Sequence, residues 1–221
     1  MKNVFQFLKS LEANNNREWF NEHKPQFKSA EESFKHLVAE IEGGLSDQDE
    51  IDRESTKIFR IYRDVRFSQN KTPYNIHRSA SFKRATEKLR GGYYLRIERG
   101  ASVIVGGFFG PSSADMLHIR RQIQQEPERL REIISSSDIT NYFGGLQGEQ
   151  VKSAPRGFTK EDPAIDLLKY KQLLLKKSFT DAEVQSADFA QQASEGYAKM
   201  RPFFDYMSEI LTTDLNGESL I

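Results

Sequence analysis

Between residues 60 and 78 the chain sets six basic side chains among two tyrosines: Arg60, Arg63, Arg66, Lys71, His77 and Arg78, with Tyr62 and Tyr74. Guanidinium groups form bidentate contacts with phosphate or carboxylate, and aromatic faces accept stacked bases. On an extended strand Arg60, Tyr62, Asp64 and Arg66 would point the same way, joined by Tyr94 and Arg96 from a neighbouring strand. The turn-rich stretch from Ser68 to Tyr74 could fold over a guest. The charge balance isolates this region. Residues 56–90 carry 10 Lys and Arg against 2 Asp and Glu, whereas residues 1–54 carry 7 against 12. A surplus of this size suits an anionic partner, or the acidic helices of the same chain. In the second case Asp64 and the N-terminal acids pair with these arginines, and the cluster only braces the fold.

Two further groups could carry chemistry. Lys152, Arg156, Asp162 and Lys171 surround a Gly- and Pro-rich loop at 144–163, a setting that often presents functional groups but equally suits an ordinary turn. Trp19 and His23 stand one helical turn apart, Trp19 expected in the core with His23 its polar neighbour. His23 or His77 would be the general base if the protein is an enzyme. His36 and His118 fall beside apolar stripes and are expected to face solvent. None of the four histidines is paired at ligand spacing, so no metal site is expected, and no cofactor. The P-loop, nucleophile-elbow, zinc-protease and dinucleotide fingerprints are absent. With no Cys, disulfides and thiolate chemistry are excluded, and a cytoplasmic setting is expected. Lys9 and Glu12 interrupt any N-terminal signal sequence, and no apolar run is long enough for a membrane span.

The elements that position these residues follow from periodicity. Val4, Leu8 and Leu11 recur at helical spacing up to Asn14-Asn15-Asn16, and Asn15 with Glu18 predicts a capping box for the next helix. Phe27, Phe34, Val38, Ile41 and Leu45 mark a longer helix, weakened at its end by Gly43-Gly44. The acidic residues 46–56 read as a loop. From Lys57 to Phe67 the period falls to two, which predicts a strand. A rival reading takes Lys57, Arg60, Arg63 and Arg66, at steps of three, as a helical stripe. Strands are predicted at 57–63, 78–84, 92–99 and 102–109, the last with Gly106-Gly107 leaving room for a bulge or the close approach of another group. Helices follow through Met116, Ile119 and Ile123, through Leu130, Ile133 and Ile134, over 164–176, and over 186–214 with a break at Pro202. A short strand is expected at 149–152. The expected whole is a single domain over 1–221. Its class is α+β, an antiparallel sheet with N- and C-terminal helices packed mainly on one face.

Four blocks carry a resemblance: FLKSLEANNNREWFNEHK (7–24), FRIYRDVRFSQNKTPYNIH (59–77), GGYYLRIE (91–98) and GEQVKSAPRGFTKEDPAIDLLKYK (148–171). The chain resembles a bacterial conserved-hypothetical family known as domain of unknown function 2461. The resemblance implies a single α+β domain, and no activity, cofactor or catalytic residue. The residues themselves favour a binding protein for a phosphate-bearing ligand, a nucleotide or a nucleic acid. The contacts would come from Arg60, Tyr62, Arg63, Arg66, Lys71, Tyr74, Arg78, Arg96, Lys152 and Arg156. The alternatives are an enzyme acting on such a ligand, and an interaction protein docking an acidic partner.

Overall fold

The computed structural model describes residues 1–221. Three helices open the chain, α1 (Lys2–Ala13), α2 (Arg17–Glu22) and α3 (Lys24–Ser46). Four strands follow, β1 (Ile51–Ile58), β2 (His77–Arg84), β3 (Gly92–Glu98) and β4 (Ser102–Phe108). After them come α4 (Ser113–Gln125), α5 (Pro127–Ser135), α6 (Ser137–Phe143) and α7 (Ile165–Leu168), then β5 (Leu173–Phe179). The chain closes with α8 (Asp181–Val184), α9 (Phe189–Ala198) and α10 (Arg201–Thr212). The strands form one five-stranded antiparallel sheet in the order β1-β2-β3-β4-β5, which makes the class α+β. No helix is long and apolar enough to cross a membrane.

Two compact units divide the chain. The first holds Met1–Phe82, Tyr94–Ile104 and Ser178–Glu195; the second holds Lys83–Tyr93, Val105–Lys177 and Gly196–Ile221. In the first, α1 buries Val4, Leu8 and Leu11 as helical spacing marks, and Phe7 besides; α3 buries Phe34, Val38, Ile41 and Leu45 of its expected stripe, while Phe27 is only half-buried. Pro25 occupies the first turn of α3, where its missing N–H costs nothing. The cap of α2 is Asn16, not Asn15: the Asn16 Oδ1 accepts from the Trp19 amide at 2.9 Å. Asn15 is committed elsewhere. Its amide donates to the Tyr74 carbonyl at 3.0 Å and accepts from the Tyr74 N–H at 3.1 Å, pairing with that residue as a strand would.

The first strand lies earlier than its expected place at 57–63. β1 occupies the acidic stretch expected to be a loop, and residues 59–67 lie beyond its end. As the sheet's edge it buries none of its side chains fully, so burial imposes no period of two on it. In β3 the alternation is plain, with Tyr93, Leu95 and Ile97 buried between half-exposed neighbours.

In the second unit, α4, α5 and α10 bury Met116, Ile119, Leu130, Phe203, Phe204 and Met207. Pro202 sits in the first turn of α10 and starts it; the break expected at that proline falls just before, after α9. The helix expected over 164–176 is not formed. α7 covers Ile165–Leu168 only, and Leu173 and Leu175 alternate as buried residues of β5. Their partner explains the choice. A Cβ on Gly107, whose φ is +143°, would collide with the Leu173 carbonyl, so this glycine lets the β5 backbone close on β4. His118 is half-buried rather than turned wholly to solvent: its ring Nε2 donates to the carbonyls of Ile210 (2.7 Å) and Thr213 (2.9 Å), where the end of α10 lacks intrahelical donors. In place of a strand at 149–152 there are single bridges, Gln147 to Leu174 and Gln150 to Tyr170.

Candidate functional site

Beyond β1 the chain makes a short two-stranded ribbon. Tyr62 bridges Tyr74 in antiparallel fashion, the Arg63 N–H donates to the Pro73 carbonyl at 2.8 Å, and the Asn75 N–H donates to the Ile61 carbonyl at 2.7 Å. Residues 64–72 form the loop that joins its arms. Arg63, which breaks the apolar side of the pattern, fastens this loop from within. Its guanidinium donates to the Thr72 carbonyl at 3.0 Å, to the Thr72 hydroxyl, and to Ser68 Oγ at 3.4 Å. Lys71 donates to the Val65 carbonyl at 3.0 Å, and Asn70 accepts from both the N–H and the hydroxyl of Thr72.

The loop's outer surface carries the remaining groups. Arg60 is exposed and its guanidinium has no hydrogen-bond partner. Arg66 grips Asp64 through Nε (3.0 Å) and NH2 (2.6 Å), holding the Asp64 carboxyl below its ordinary value and raising its own. Both side chains are largely in water, so the pair is weak and open to exchange. Tyr62 is 54% exposed and Phe67 96% exposed, with the Arg66 guanidinium 5.9 Å from the Phe67 ring centre. This clusters cations and flat rings, but on an open loop rather than along a strand.

Other residues expected in the cluster are turned inward. Arg78 is 3% exposed; it donates to the Phe59 carbonyl at 2.8 Å and to Glu31 Oε1 at 2.7 Å, and lies 5.4 Å over the Phe34 ring. One arginine thus pairs with an N-terminal acid and braces the fold. Tyr74 is buried against Phe20, and burial raises its hydroxyl above the ordinary value. Arg96 pairs with Glu98 at 3.1 Å on the half-exposed side of β3. His77 sits near Glu98, Arg96 and Arg78, its pKa pulled down chiefly by burial. Lys152 and Arg156 are exposed in the second unit, where Lys171 pairs with Glu149 at 3.3 Å and Asp162 accepts from the Ala164 N–H at 2.9 Å. No three or more His, Asp or Glu side chains gather as a metal would require.

A second feature of the first unit escapes sequence reading. α1, α2 and α3 line a half-open cleft of about 380 Å³. Asn3, Gln6, Phe7, Ser10 and Asn14 line it from α1, at helical steps that put amides and hydroxyls on one face. Trp19 comes from α2 and His23 from the α2–α3 junction, their rings stacked 4.0 Å apart and 14° from parallel; Gln26 and Ser29 of α3 complete the wall. The His23 Nδ1 lies 2.8 Å from the Trp19 carbonyl. The signal available in the sequence was the polar period of α1, which reads first as a solvated face.

The architecture is that of an α+β protein whose N-terminal helices and basic loop belong to one compact unit. The chain belongs to the family described as conserved hypothetical protein DUF2461, whose model matches residues 3–206. No curated protein and no solved structure matches it.

Proposed function

We propose that the loop between Arg60 and Lys71 binds a phosphate-bearing polyanion, and that single-stranded nucleic acid suits it best. The observation that carries this reading is the exposed Phe67 ring with the solvated Arg66 guanidinium over it; the exposed Arg60 and the half-exposed Tyr62, whose ring also packs on Phe20 and Tyr74, flank the same loop. Stacking on aromatic side chains combined with cations that track the backbone is how proteins hold single strands without reading sequence. A phosphate approaching Arg66 competes only with the solvated Asp64, and one approaching Arg60 displaces no hydrogen bond, its charge acting on the same Asp64. The loop is open, which favours a strand passing over it above a mononucleotide that needs enclosure. Binding, rather than catalysis, is proposed because the loop's exposed groups are cations and rings, while neither candidate base belongs to it: His23 lines the helical cleft and His77 lies beside Glu98 and Arg96 of β3. Titration of a labelled oligonucleotide against salt, with wild type and the Arg60→Ala/Arg66→Ala variant, tests the reading.

A further inference from the structure

We infer that the half-open cleft between α1, α2 and α3 is a binding site for an uncharged nucleoside, held by its base. The inference does not depend on the loop reading. At about 380 Å³ the cleft falls within the roughly 300–1,000 Å³ range of small-molecule sites. Its lining contains no Asp, Glu, Lys or Arg. Beyond His23, whose Nδ1 already lies against the Trp19 carbonyl, a phosphate or carboxylate would find no cation there, so a neutral ligand is the better complement.

The lining also says what kind of neutral ligand. The Trp19–His23 stack is a planar aromatic wall, and a flat heterocycle extends such a stack favourably. Two of the amides are already engaged. Asn3 donates to the Ser29 carbonyl (3.1 Å) and Ser33 Oγ (2.7 Å), and Asn14 donates to the Ser10 carbonyl (3.0 Å). Gln6 of α1 and Gln26 of α3 both line the cleft, are exposed, and make no hydrogen bond within the protein. Each offers one acceptor and two donors, the alternation that a base edge presents in return, and a glutamine amide pairs with an adenine edge in this bidentate way. An aliphatic ligand would use the stack poorly, and an anion would meet the amide donors but not their acceptors.

Trp19 is the only tryptophan of the chain, so its fluorescence reports on this cleft alone. The test titrates the full chain with adenosine, guanosine, cytidine and uridine, and in parallel with methyl glucoside and inorganic phosphate. The expected result is a saturable change in Trp19 emission with at least one nucleoside, and none with phosphate. Gln6 and Gln26 are exposed and unbonded, so Gln6→Ala/Gln26→Ala should keep the wild-type circular dichroism spectrum and weaken nucleoside binding about tenfold or more. The Arg60→Ala/Arg66→Ala variant should bind nucleoside as wild type does, which separates this site from the loop. No saturable response to any nucleoside, an undiminished response in the double glutamine variant, or a stronger response to the glucoside would each overturn the assignment.

Discussion

Tyr74 lies flat on Phe20, with ring centres 4.1 Å apart and planes 14° from parallel. This contact fixes the ribbon that carries the basic loop to α2, and Asn15 clamps the Tyr74 backbone from both its N–H and its carbonyl. One residue earlier on the same helix, Trp19 lines the cleft. A six-residue helix therefore positions two surfaces of different chemistry, one an open cationic loop, the other a half-open cleft lined by amides, hydroxyls and aromatic rings.

Two arginines of one segment should respond oppositely to removal. Arg78→Ala strands the Glu31 carboxylate in a largely buried setting and should cost about 3–5 kcal/mol. Arg66→Ala removes a solvated pair and should leave the denaturant midpoint unchanged. Chemical denaturation of both variants checks the contrast.

The core beneath Arg78 is equally specific. Phe34 is fully buried, and Phe34→Ala should cost roughly 3–5 kcal/mol, read as a lower denaturant midpoint at unchanged slope.

The basic segment shows what a sequence exposes and what it hides. The buried stripes of α1 and α3 were legible because water must leave one face of a helix, and that demand writes a period into the residues. β1 was not legible, since an edge strand with polar side chains on both faces carries no such period. β5 was hidden because Leu173-Leu174-Leu175 suits helix and strand alike, and only Gly107 decides between them. The need for close approach at Gly106-Gly107 could be read; the partner, more than sixty residues away in the chain, could not. Within the site, the surplus of cations was visible, but which arginines turn inward depends on carbonyls at Phe59 and Thr72 that sequence does not place.

Gly107→Ala should destabilise the protein by more than about 1 kcal/mol, because it adds both a positive-φ penalty and a collision with β5. Thermal melts should show the drop. A melt matching wild type would mean that β5 can move away at no cost.

His77 should make stability fall in mild acid. Burial lowers its folded pKa beneath the ordinary 6.5, and Glu98 opposes this only in part. The unfolded chain then takes up its proton first, so stability is full above 6.5 and is lost as pH falls from there through the lower folded value. His77→Gln should remove this part of the pH dependence, measured as denaturant stability across the mildly acidic range. An unchanged pH profile in the variant would contradict the burial of the ring.

The most direct test of the basic loop's function is fluorescence anisotropy of a labelled single-stranded oligonucleotide across a salt series. With Arg60, Arg66 and Lys71 meeting phosphates, log affinity should fall against log salt with a slope of about −2 for a single strand. Arg60→Ala/Arg66→Ala should flatten that slope towards about −0.7, and Phe67→Ala should weaken binding about tenfold with the slope kept. Binding that is undetectable at low salt, or that is equal in wild type and all variants, would contradict the account.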